Sequence, residues 1–201
     1  MKRVTGTVVL FYALFFLSCG VQADTIRINA DEWCPFNCRP ESDSKGYMIE
    51  VAERIFQKAG HQLQYEVMPW SRSIDHARKG KIEGIVGAAK GEVPEFVFPE
   101  EELGISLDSF YVKKGTPWRF KGIESLDGMK VGIQNDYEYG ERIDKYFAAN
   151  MDSGRIQAAH GDEPVRLNIR KLVKGRVDAV IEDKLVFLYN AKETGLLEQV
   201  E

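Results

Sequence analysis

The sequence predicts an α/β protein made of two three-layer αβα lobes with mainly parallel sheets. Strand-like and helix-like periodicities alternate in the order βαβαβ, and the same order returns after a stretch from Pro94 to Gly122 punctuated by Pro and Gly. Alternation of this kind lays helices over both faces of parallel strands.

Ile26–Ala30 alternates apolar and polar residues with period two, as a half-buried strand does. Tyr47–Ala59 carries Met48, Val51, Ala52, Ile55, Phe56 and Ala59 at helical spacing and is closed by Gly60. Leu63–Val67 alternates again, Ser71 is placed to cap a short helix carrying Ile74 and Ala77 that stops at Gly80, and Ile82–Gly87 is a third strand. In the second unit Lys130–Gln134 is a strand, Tyr139–Ala149 a helix and Arg155–Ala159 a strand. Glu163–Val173 follows as a helix capped by Asp162, then Val177–Ile181 as a strand, and finally a helix Lys184–Glu193 behind an Asp183 cap, ending at Gly195. The expected division is a leader over residues 1–23, lobe 1 over 24–112 and lobe 2 over 113–201, with a hinge around Phe110–Gly115.

The leader sets the compartment. Lys2 and Arg3 precede an apolar run from Val8 to Leu17 that is short for a bilayer, and Val21-Gln22-Ala23 offers small residues where signal peptidase cuts. Cleavage is expected after Ala23, giving a periplasmic protein; lipoprotein processing at Cys19 is the competing reading. Removal of the leader leaves Cys34 and Cys38, an even count in an oxidising compartment, for which a disulfide stapling a short loop is expected. The competing readings of this pair are a redox or metal site. Against them stand three intervening residues where thioredoxin-type motifs have two, and scattered His61, His76 and His160.

Beyond residue 23 the chain keeps 25 basic against 31 acidic residues, a formal charge of −6 that argues against a nucleic-acid partner. No GxGxxG or P-loop follows any strand, and no Ser-His-Asp or Cys-His set has a recognisable local signature. No catalytic residue, cofactor or metal is therefore assigned, and the protein is expected not to be an enzyme.

Open parallel sheets bind ligands beyond the carboxyl ends of their strands, where loops and helix N-termini converge. That rule selects Asp31–Phe36, Met68–Arg72 and Gly87–Gly91 in the first unit, and Gln134–Gly140, His160–Asp162 and Glu182–Asp183 in the second. Trp33, Trp70, Tyr137 and Tyr139 make these loops aromatic. Trp70 suits an aromatic plate or the packing of a lobe edge, and Arg72 on the first turn of its helix suits a carboxylate or plain solvent. Glu182 and Asp183 close a buried strand with two carboxylates, and Asp183 fits an ammonium partner, a helix cap or both.

Four segments resemble a known family: Gly46-Tyr47-Met48-Ile49-Glu50, Gly80-Lys81-Ile82-Glu83-Gly84-Ile85, Ser125-Leu126-Asp127-Gly128-Met129-Lys130-Val131-Gly132 and Gly175-Arg176-Val177-Asp178-Ala179-Val180. In this order and spacing they look like family 3 of the bacterial solute-binding proteins, the polar amino-acid receptors of ABC importers. The resemblance implies a type II periplasmic-binding-protein-like fold whose lobes close on a small ligand, a monomer that delivers it to an inner-membrane ABC permease, and Asp183 as the ammonium partner. The family's Thr-x-x-Arg segment after the third strand is replaced here by Lys90-Gly91-Glu92-Val93-Pro94-Glu95-Phe96, leaving Arg72 or Lys90 to hold any carboxylate. The chain also stops at Leu196-Leu197-Glu198-Gln199-Val200-Glu201, where the family's return to lobe 1 would start, so an incomplete lobe 1 is expected. The expected function is capture of a small polar, amino-acid-like or amine-bearing ligand, the alternatives being a cyclohexadienyl dehydratase-like enzyme on the same fold or a ligand-sensing module.

Overall fold

The computed structural model describes residues 23–201; the leader and Cys19 lie outside the described residues. Two sheets organise the chain. The first contains β1 (Thr25–Ala30), β2 (Gln62–Val67) and β3 (Gly84–Ile85) in the order β2-β1-β3, all parallel. Helices α1 (Tyr47–Lys58) and α2 (Trp70–Arg78) are its crossovers. Ile28 and Ala30 of β1 meet Ile49 of α1, Tyr65 of β2 and Val86 in one buried cluster, which is why alternate residues of these strands are apolar.

The second sheet runs β4-β7-β5-β6, with β4 (Asp108–Val112) antiparallel to β7 (Ala179–Asp183), while β5 (Val131–Gln134) pairs in parallel with β7 and with β6 (Ile156–Ala159). Helices α3 (Glu141–Asn150), α4 (Pro164–Val173) and α5 (Lys184–Glu193) cover it. Every residue of β5 and β7 is buried, because helices pack on both faces. One core joins Ile169, Leu172, Val180 and Phe187, and a second joins Leu126, Val131, Ile133, Phe147 and Ile181. Side chains of this size contribute about 1.5–3 kcal/mol each when fully buried. Tyr111 of β4 lies flat on Phe187 of α5, ring centroids 3.6 Å apart. This is the two-lobed, largely parallel α/β architecture that the sequence predicts.

Several local expectations are corrected. The third strand shrinks to Gly84–Ile85, since only β1 pairs with it. Strand β4 was hidden in the Pro- and Gly-punctuated region; it lies on the lobe 1 side of the expected boundary at residue 112 yet is hydrogen-bonded into the second sheet, so the expected hinge at Phe110–Gly115 starts inside a paired strand. Strand β7 starts two residues later than expected and runs on to Asp183. Asp178 stays outside it, its carboxylate taking the Lys130 N–H at 2.7 Å. Asp162 does not cap α4, which starts with Pro164 behind Glu163, and Ser71 does not cap α2, which starts one residue earlier behind Pro69. In α4 Pro164 presets the backbone angle of the first turn and removes one N–H that would be unpaired there. Near the C-terminus Val112 and Glu201 exchange both backbone hydrogen bonds. No helix among the described residues is long and apolar enough to cross a membrane.

Candidate functional site

The loop after β1 is the most constrained part of the first lobe. Trp33 N–H donates to the Asn37 carbonyl at 2.8 Å, and Cys34 and Cys38, both buried, are joined in a disulfide, as the cysteine count predicts. The loop is anchored from outside by Tyr65 Oη, which donates to the Cys38 carbonyl at 2.9 Å. It also receives the first N–H groups of α1, Tyr47 on the Pro35 carbonyl and Met48 on the Phe36 carbonyl. This seating requires Gly46: its φ is +96°, and a Cβ there would lie 2.5 Å from the Phe36 carbonyl oxygen.

That loop reaches across to the second lobe. Trp33 and Phe36 pack against the core around Phe187, and Trp33 Nε1 donates to Glu182 Oε1 at 2.9 Å. The exchange is reciprocal, since Tyr137, from the loop after β5, packs against the cluster of Trp70, Ile74 and Val93 and donates its hydroxyl to Asp31 Oδ2. Trp70 meets the Tyr137 ring edge-on, centroids 6.5 Å apart. Of the predicted ligand residues, Trp33, Trp70 and Tyr137 thus converge on one lobe boundary.

Tyr139 lies just behind them, its ring centroid 6.4 Å from that of Tyr137, and the other three do not join the group. Tyr139 turns into the second lobe's core, where its hydroxyl oxygen accepts the Gln134 N–H at 2.8 Å and its ring stands edge-on to Phe147. Arg72 and Lys90 are exposed, and their side chains form no hydrogen bond or ion pair among the described residues. Asp183 is buried and already holds four donors: Leu185 N and Val186 N on Oδ1, Ser106 Oγ and Leu107 N on Oδ2. A carboxylate offers about four lone-pair positions. The expected cap on α5 is therefore formed, with no acceptor position over for a ligand ammonium in this arrangement.

The boundary is also lined by three carboxylates: Glu182, which the sequence analysis paired with Asp183, Asp31, which it included in a strand-end segment, and Glu92, which it did not select. Glu182 is 2% exposed and takes, besides Trp33, the Gln134 Nε2 at 2.7 Å and the Asp183 N–H at 3.1 Å. Burial nevertheless pushes its carboxyl up to about 8. Burial likewise raises Asp31 to about 6, against the favourable Tyr137 hydrogen bond, and Glu92 to about 7. Glu92 crosses the boundary too, its Oε1 accepting the Glu138 N–H at 3.3 Å. The strand-end rule contained the signal for Asp31, which follows β1, and for Glu182, the last residue but one of β7; Glu92 lies one residue beyond the segment it selected after β3.

Two cavities flank this boundary. One of about 700 Å³ opens between α2 and the loop after β5, lined by Ser71, Ile74, Glu92, Gln134, Tyr137 and Tyr139 among others. Gln134 Oε1 is buried there without a hydrogen-bond partner, as is Trp70 Nε1 nearby in the same aromatic cluster. The other, of about 580 Å³, lies in the first lobe beside β3, is walled by Met48, Ile82, Phe96, Phe98 and Leu103, and has Trp33 and Lys90 at its margin. Both combine apolar walls with polar groups, as small-molecule sites do, but the first is the one that residues of both lobes line. No cluster of three or more metal-ligating side chains occurs among the described residues.

No family model matches the chain. It is 22% identical over 154 residues to the L-cystine-binding protein TcyJ of Escherichia coli strain K12, covering 74% of this chain and 54% of that protein, so the match spans about half the curated relative's length. Among solved structures it superimposes on a histidine kinase sensor domain similar to periplasmic binding proteins with a TM-score of 0.71 at 17% identity, covering 88% of this chain and 75% of the other. An ancestral arginine-binding protein bound to glutamine gives a TM-score of 0.65 at 25% identity, covering 88% and 76%. The fold is thus type II periplasmic-binding-protein-like, related at superfamily level to amino-acid and cystine-binding proteins. All three are binding or sensing proteins by description.

Proposed function

We propose that the protein is a periplasmic receptor that encloses a small amine-bearing molecule between its lobes and delivers it to an ABC permease. The observation that carries this reading is the meeting of Asp31, Glu92 and Glu182 with Trp33, Trp70 and Tyr137 at the lobe boundary. Carboxylates beside aromatic faces attract a cation, whose charge in turn favours their ionised, acceptor-only form. The buried Gln134 Oε1 adds one more acceptor. With Arg72 and Lys90 exposed and Asp183 saturated, this chain lacks the paired clamp for an α-amino acid at the positions expected for it, which favours amine character over a full zwitterion. Export is supported by the charged-apolar-small layout of residues 1–23 and by the disulfide.

Calorimetric titration of the exported protein against arginine, histidine, putrescine, spermidine and citrate tests the reading. Binding by one or more of the cationic compounds and none by citrate is the expected result. Binding of citrate alone would overturn it. A sensing role is the second reading, favoured by the superposition on the kinase sensor domain; deletion of the gene should then alter transcription and leave uptake intact.

A further inference from the structure

We propose that the lobes of this protein close by taking up protons, so that the ligand-free cleft is shut in acid and opens as the solution becomes alkaline. This goes beyond the identity of any ligand and stands if the amine reading fails.

The argument starts from what crosses the boundary. Three of the polar contacts between the lobes end on carboxylates with no cation beside them: Tyr137 Oη on Asp31, Trp33 Nε1 on Glu182, and Glu138 N on Glu92. Around Asp31 stand Tyr137 from the loop after β5, Tyr65 from β2, the adjacent Glu32 and Glu92. Facing Glu182 are Trp33 from the β1 loop, Gln134 from β5, Asp108 from β4, the adjacent Asp183 and the hydroxyls of Tyr137 and Tyr139. Glu92 faces the Ala89 and Glu138 N–H groups, the Glu138 carboxylate and Asp31. The approach at this last point is close, since a Cβ on Gly91 would lie 2.1 Å from Glu138 Oε2. The cations that reach the boundary, Arg39 and Arg166, both sit on Glu32, at 2.6 and 3.5 Å.

Closing the cleft therefore removes water from several like-charged groups, and the one positive charge it brings across, Arg166, goes to Glu32 and not to them. The neutral acid forms relieve this, both by removing repulsion and by lowering the cost of burial. In the closed form Asp31, Glu92 and Glu182 are raised to about 6, 7 and 8 from ordinary values of 3.8 and 4.5. The sign follows: a group that holds its proton more tightly when closed favours closure below its ordinary value and loses that contribution as pH rises through the raised one. Closure weakens from about pH 4 upward and levels off beyond about 8, the closed-to-open ratio falling up to about tenfold per pH unit for each proton retained.

Small-angle scattering of the ligand-free protein across pH 5 to 9, with circular dichroism confirming the fold at each point, tests this. The radius of gyration is expected to be smallest at pH 5 and to grow between pH 6 and 8. Glu92→Gln, at a half-exposed position, should flatten that growth, and Asp31→Asn with Glu92→Gln and Glu182→Gln should largely abolish it. A radius that does not change with pH in the native sequence overturns the proposal whether or not the triple variant folds. An unaltered pH response in folded Glu92→Gln and triple variants overturns it as well.

Discussion

Trp33 and Glu182 lie 149 residues apart in sequence and 2.9 Å apart in the fold, the indole N–H of one lobe resting on a buried carboxylate of the other. Trp33→Phe keeps the packing against the Phe187 core and removes the donor. It should cost about 1–3 kcal/mol, because a buried acceptor loses a partner, and should lower the melting temperature by several degrees in a scanning calorimeter. An unchanged melting temperature would mean that the lobes do not rest on this contact.

Asp183 joins the first turn of α5 to Ser106 and Leu107 at the entrance to β4. Asp183→Ala should destabilise the fold by at least the 0.5–2 kcal/mol typical of a lost helix cap, roughly, with Asp183→Asn milder. Since the carboxylate is saturated by protein donors, the effect should appear in urea midpoints of the ligand-free protein. A variant of native stability that fails to bind ligand would restore Asp183 to the binding site.

The Cys34–Cys38 disulfide closes a short loop, for which chain entropy alone gives about 2 kcal/mol. Replacing both cysteines with serine should cost about that much in equilibrium unfolding. Binding should weaken too, since the loop carries Trp33. Thiol titration of the exported, denatured and unreduced protein should detect no free sulfhydryl.

Gly46→Ala would drive a methyl group into the Phe36 carbonyl and place alanine at a φ of +96°. Strained backbone of this kind costs about 1–3 kcal/mol before the clash is counted. Loss of soluble protein, or a urea midpoint well below that of Gly80→Ala, is the expected outcome. Gly80, just past the end of α2, is an exposed glycine with a φ of +64° and nothing within 4 Å of an added Cβ, and so separates strain from collision.

Much of the fold was legible because its signals are local. The period-two runs at Ile26–Ala30 and Leu63–Val67 and the helical spacing of Tyr47–Lys58 each report the face that must be buried, whatever the partner. Strand β4 was not, since Asp108–Val112 carries no clean alternation and is a strand only because β7 pairs with it. The site divided along the same line. Strand-end topology selected the loops holding Trp33, Trp70 and Tyr137, which the lobes do bring together. It could not show that Tyr139 hydrogen-bonds inward or that Asp183 is saturated, because both depend on partners outside their own loops or on the path of the backbone between them. The burial of Asp31, Glu92 and Glu182 was out of reach for a related reason: a surface acid and a buried one are the same letter until the opposing lobe is in place.

Asp31 and Glu32 are neighbours in the chain with opposite surroundings, one meeting a tyrosine hydroxyl and the other lying between the guanidinium groups of Arg39 and Arg166. Dissolved electrolyte acts on them differently from acid. The Arg166 contact to Glu32, which spans the lobes, lies largely out of solvent and is screened only weakly, and a hydrogen bond to a neutral partner hardly at all. Protons reach Asp31 by changing its charge, whereas sodium chloride must act through solvent, so the two consecutive residues leave the lobes far more responsive to acidity than to salinity.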